Sequence, residues 1–130
     1  MRIRRWSPLI LTLAALPLIG AAKIRERSAH ILLEYAVPGK VVEASPPTIE
    51  LWFTQDPLPN ETRIRLFDAA GKEQPLGDVV GDPENPYHFI AAIRQKLPNG
   101  TYKVFWRTMS DDEPGGFVRE DKFDFTVQAP

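Results

Sequence analysis

After Lys23 the apolar residues of this chain recur at every second position, and proline interrupts it 13 times in 130 residues, too often for long helices. That spacing predicts strands. In TIELWFT, Ile49, Leu51 and Phe53 fall on one face and Glu50, Trp52 and Thr54 on the other, as in a strand with one buried face. RIRLFD repeats the pattern with Ile64 and Leu66 inward. LPNGTYKVFWRT opens with Asn99-Gly100, residues that accept positive φ in a tight turn, and then alternates Tyr102, Val104 and Trp106. KFDFTVQ sets Phe123, Phe125 and Val127 on the core face, and HILLEYAV, ending at Pro38-Gly39, opens the series. YHFIAAIR is apolar from Phe89 to Ile93 and reads as an inner strand covered on both sides, although so short a run also suits a helical turn. His88, facing opposite to Tyr87 and Phe89, is expected on the solvent side. Six or seven short strands in roughly 100 residues predict an all-β fold, an immunoglobulin-like two-sheet β-sandwich of Greek-key type.

The length bounds the reading to one domain of ordinary size. With 16 Lys+Arg against 17 Asp+Glu, the chain has no basic footprint of the kind nucleic-acid binding needs. It has no cysteine, so no disulfide supports it, and thiolate metal sites and cysteine catalysis are excluded.

The first residues have the layout of a secretory signal: Arg2, Arg4 and Arg5, an apolar run from Pro8 to Ile19, then Gly20, Ala21 and Ala22. The run is short for a membrane span of roughly 20 apolar residues. Export is therefore expected, with residues 1–22 as the signal peptide, cleavage as late as residue 29 as the alternative, and the sandwich over residues 28–128. Arg4-Arg5 also admits a twin-arginine signal, for which Trp6-Ser7-Pro8 is a weak continuation.

Chemistry-bearing residues are few. Asp111, Asp112 and Glu113 crowd one turn after FWRTM. Carboxylates suit Ca(II), Mg(II) or Mn(II), and complete Cu(II) or Zn(II) sites only beside imidazole. A calcium loop needs more oxygen ligands at regular spacing than this turn supplies, and a solvated acidic loop is the competing reading. The chain holds two histidines, His30 and His88. It carries no G-x-S-x-G elbow, no His-Glu-x-x-His and no phosphate loop, so an enzyme is not expected.

SAHILL, PGKVV, SPPTIELWF, DAAGK, LPNGTYKVFW and FDFTV, in this order from Ser28 to Val127, make the chain resemble the CopC family of periplasmic copper-resistance proteins. The resemblance implies a β-sandwich with a Cu(II) site near its N-terminus, a periplasmic location and a role in copper resistance or homeostasis. It implies the copper ion and an inner-membrane copper transporter as partners, with no nucleic acid, and the protein is expected to be a monomer. The family's site uses a histidine in an Ala-His start and a Ser-x-Asp-Gly-His-Pro turn. Residue by residue, the start matches His30 and the turn matches Ser110, Asp112 and Pro114. The turn is one residue shorter here, and Glu113 stands where the Gly-His pair would be. The implied metal ligands are His30, Asp112 and, as a substitute oxygen donor, Glu113. Some members also hold Cu(I) in a methionine-rich segment; here Met109 is the only methionine after the signal. A β-sandwich that kept the fold and lost the metal is the alternative function.

Overall fold

The alternation in TIELWF is the alternation of burial: Ile49, Leu51 and Phe53 are buried, and Thr48, Glu50 and Trp52 are half-buried on the opposite face. The computed structural model describes residues 31–110 and 116–130. Among them the strands are, in chain order, β1 (Leu33–Val37), β2 (Val41–Val42), β3 (Thr48–Phe53), β4 (Arg63–Phe67), β5 (Glu73–Gln74), β6 (Val80–Asp82), β7 (Asn85–Ala92), β8 (Gly100–Ser110) and β9 (Phe117–Val127). They form two sheets, a four-stranded one in the order β1-β3-β7-β6 and a five-stranded one in the order β2-β9-β8-β4-β5. Pairing is antiparallel throughout except between β2 and β9. The unit Ile31–Pro130 is thus a β-sandwich, as the alternation predicts.

The core lies between the sheets. Ile49, Leu51, Phe53, Phe89 and Ala91 of the first sheet meet Leu66, Tyr102, Val104, Trp106, Phe125 and Val127 of the second. Phe53 sits at the centre of an aromatic group, its ring 5.4 Å from Trp106 and 6.2 Å from Phe89, both edge-on. Edge-on contact sets the positive edge of one ring against the negative face of the next. YHFIAAIR is strand, as β7 shows, and not a helical turn.

One expectation is adjusted. Phe123, placed in the core by its parity, is only partly buried and packs against the cluster from its rim. The β8–β9 hairpin runs for eleven paired positions, but β2 flanks β9 only at Thr126 and Val127, and even the inward-parity Asp121 is exposed. Gly100 has the positive φ expected of it, 154°, and Asn99-Gly100 leads from β7 of one sheet into β8 of the other. The Asn99 amide anchors the chain's end: Asn99 Nδ2 donates to the Ala129 carbonyl at 3.0 Å, and Ala129 N–H donates to Asn99 Oδ1 at 2.9 Å.

DAAGK makes the tight β4–β5 turn. Asp68 Oδ1 accepts the N–H groups of Ala70 and Lys72 at 2.9 and 2.8 Å, and Gly71 takes φ 86°, which a residue with a side chain rarely adopts.

Candidate functional site

His30, Asp112 and Glu113 lie outside the described residues, so the site is approached through their neighbours in sequence. Ile31, next after His30, is completely buried. Leu32 is tied to Thr54 by two hydrogen bonds of 2.9 Å, its N–H to Thr54 Oγ1 and its carbonyl from Thr54 N–H. The segment that leaves β3 at Thr54 then returns to β8, where Leu58 N–H donates to the Met109 carbonyl at 2.8 Å. Just before that contact the hydroxyls of Thr62 and Thr108 meet at 2.8 Å, both buried, which satisfies two polar groups the core would otherwise penalise. Ser110, two residues before Asp112 and the last residue of β8, is buried.

The end of β8 is therefore linked to Leu32 through residues 54–58. Three of its features bear on what it can hold. Met109 contributes a half-buried thioether, a soft donor. Gly116 has φ 78°, and a Cβ there would come within 3.4 Å of the Ser110 carbonyl and 3.8 Å of Met109 Sδ, so the chain at Gly116 runs close beside the end of β8. Trp106 Nε1 is buried without a hydrogen-bond partner among the described residues, a cost the aromatic packing around it must offset. Among the described residues no group of three His, Cys, Asp or Glu side chains is set to hold a metal ion.

The second histidine is not on the solvent side. His88 is on the outer face of the four-stranded sheet, as alternation requires, but its side chain is only 10% exposed. It lies opposite Trp52 in the β3–β7 ladder, and the two rings stack with centroids 4.0 Å apart and planes 6° from parallel. Tyr35 from β1 continues the group, 5.1 Å from the indole. The cover comes from a large outward side chain on the neighbouring strand, so parity alone does not expose the imidazole.

Both ring nitrogens of His88 are engaged. Nε2 meets Glu50 Oε1 at 2.8 Å and Nδ1 meets Asp82 Oδ2 at 2.9 Å. Each carboxylate is fixed in turn: Thr48 Oγ1 donates to Glu50 Oε2 at 2.8 Å, and Glu84 N–H donates to Asp82 Oδ1 at 2.9 Å. The hydrogen bond from His88, followed by that from the Glu84 backbone, holds the Asp82 carboxyl below the usual carboxylate range. Glu50 and Asp82 sit against opposite edges of the ring, so the three groups do not converge on a point where an ion could sit. Their arrangement ties β3, β7 and β6 together. The outward parity of Glu50, Trp52 and His88 was readable in sequence, whereas their meeting needed the β3–β7 register.

The sequence profile of the CopC domain matches residues 35–128. CopC from Methylosinus trichosporium OB3b is 29% identical with a TM-score of 0.69, over 77% of this chain and 95% of that one. PcoC, a methionine-rich copper resistance protein from Escherichia coli, is 25% identical with a TM-score of 0.65, over 75% of this chain and 98% of that one. No curated protein matches the chain. The profile covers most of the sequence and the solved structures share its two-sheet architecture, and on these grounds the chain belongs to the CopC domain family.

Proposed function

We propose that this chain is a periplasmic Cu(II)-binding protein of copper resistance or homeostasis, exported by a signal peptide over residues 1–22 and acting as a monomeric binding protein, not an enzyme. Membership of the family and the likeness to a copper resistance protein support a copper-related role. The observation that carries the reading is the hydrogen-bonded route from Leu32 to Thr54 and from Leu58 to Met109, which links the segment after His30 to the strand before Asp112. His30 is bonded directly to Ile31, and Asp112 follows Ser110 within a chain reach of about 7 Å. His30 and Asp112 are the proposed ligands, with Glu113 as an additional oxygen donor.

The donor set suits Cu(II), which takes imidazole together with carboxylate. It does not suit a Cu(I) site of several thioethers, because Met109 is the only methionine after the signal. One imidazole is a weak anchor, and processing decides its worth. Cleavage after Ala29 would make His30 the first residue, so that its α-amine and imidazole chelate one ion, at the expense of displacing a proton from an amine of pKa about 8. Cleavage after Ala22, which the small residues there and the charged KIRER segment favour, leaves His30 internal. The proposed recipient of the metal is an inner-membrane copper transporter.

A metal-free module is the second reading, favoured by Glu113 standing where the family's Gly-His pair would be. Titration of the mature protein with Cu(II), after its first residue is fixed by mass spectrometry, separates the two. Weak binding abolished by His30→Ala and reduced by Asp112→Ala supports the copper reading. No binding by the wild type supports the module.

A further inference from the structure

The outer face of the five-stranded sheet gathers positive charge in a domain that is otherwise acidic. Of 16 Lys+Arg and 17 Asp+Glu, six bases and one acid precede Ile31, which leaves ten bases against sixteen acids in the folded unit. Against that balance, a concavity of about 610 Å³ on this face is lined by four cations, Arg63, Arg65, Arg107 and Lys122, and two carboxylates, Glu120 and Asp121. Its apolar floor is Phe105 with Phe67, packed edge-on at 5.4 Å.

Two features of this face are costly unless something covers it. Arg63 and Arg107 are directly opposite in the β4–β8 ladder, and like charges so placed repel. Neither is well neutralised. Arg63 Nη1 donates to the backbone carbonyl of Thr62 at 3.2 Å and to that of Asn60 at 2.6 Å, with no carboxylate paired to it among the described residues. Arg107 Nε reaches Glu120 only at 3.7 Å, with the Glu120 side chain 70% exposed. The second feature is Phe105, opposite Arg65 in the ladder and 40% exposed.

Arg65 shows how the same face treats a carboxylate. Its guanidinium holds Glu73 by two hydrogen bonds of 2.9 and 3.0 Å and lies 5.0 Å above the Phe67 ring. Planar, two-pronged pairing of this kind is what arginine offers a carboxylate.

We propose that this face docks an acidic segment of a partner protein, its carboxylates on Arg63 and Arg107 and an apolar side chain against Phe105. A peptide fits better than an anionic bilayer or a nucleic acid. Glu120 and Asp121, which also line the concavity, would repel a uniformly negative surface, whereas a peptide can set its carboxylates away from them. The proposal rests on the sheet and its charges and is independent of copper binding.

The test is fluorescence anisotropy with a labelled peptide of alternating Glu-Asp pairs and Phe, against a Gln-Asn-Phe analogue of equal length. The acidic peptide should bind, more weakly as ionic strength rises, and the neutral analogue should not. Arg63→Ser with Arg107→Ser should weaken binding about tenfold or more, as loss of close charge pairs does. Phe105→Ser, which leaves both arginines in place, should also weaken it, while Arg94→Ser with Lys96→Ser, away from this face, should not. Absence of binding, equal binding by the double arginine variant, or stronger binding to phosphatidylglycerol vesicles than to the peptide would each overturn the proposal.

Discussion

The imidazole of His88 lies flat on the indole of Trp52, 4.0 Å away, with a carboxylate on each of its nitrogens: Glu50 at 2.8 Å and Asp82 at 2.9 Å. One side chain thus holds three strands of the first sheet together. Removing it leaves two partly buried carboxylates without their shared partner and bares one face of the indole. His88→Ala should destabilise the domain by about 1–3 kcal/mol, the usual cost of orphaned hydrogen-bonding groups. His88→Phe, which restores the stack alone, should recover part of the loss. Equal urea midpoints for wild type and His88→Ala would show that the cluster is only decorative.

The same cluster makes a pH prediction through Asp82. Its folded-state pKa is depressed, first by His88 and then by the Glu84 N–H. A depressed carboxyl contributes stability that is present above its unfolded pKa and is lost as the pH falls through its folded pKa. The contribution should therefore be complete at neutral pH and decline only below the ordinary carboxylate range. Urea midpoints measured from neutral to strongly acidic pH should show Asp82→Asn weaker than wild type at neutral pH, with the gap closing in acid. A gap that widens in acid would contradict the assignment.

Trp106 tests the core. Trp106→Ala should cost about 3–5 kcal/mol, as removal of a large buried aromatic does. Its Nε1 has no hydrogen-bond partner among the described residues, so Trp106→Phe gives up volume and edge contacts without breaking a hydrogen bond there. That variant should cost clearly less, about 1.5 kcal/mol or below if the site closes around the smaller ring. An unchanged midpoint for Trp106→Ala would place this side chain outside the core.

What the sequence made legible follows from period two. Ile49, Leu51, Phe53, Tyr102, Val104 and Trp106 are buried because alternate residues of a strand face one way, a local property that any one strand displays. The burial of His88 was not legible. It depends on the pairing of Trp52 with His88, thirty-six positions apart, and register across such a distance is set by the whole sheet. Phe123 marks the converse limit: its parity is right, yet it is only partly buried beside the fully buried Val104, on a strand that β2 flanks only at Thr126 and Val127. The candidate copper ligands came from family likeness and not from periodicity. The described structure contributes the hydrogen-bonded link from Leu32 through residues 54–58 to Met109, which neither alternation nor motif order shows.

The central claim, that copper is held through His30, is tested most directly by pulsed electron paramagnetic resonance of Cu(II) on the mature protein. The chain has two histidines, and His88 spends both nitrogens on carboxylates. The account predicts coupling from one imidazole in the wild type, retained in His88→Phe and lost in His30→Ala. Imidazole coupling that survives in His30→Ala, or a spectrum of unbound Cu(II) from the wild type, would contradict it.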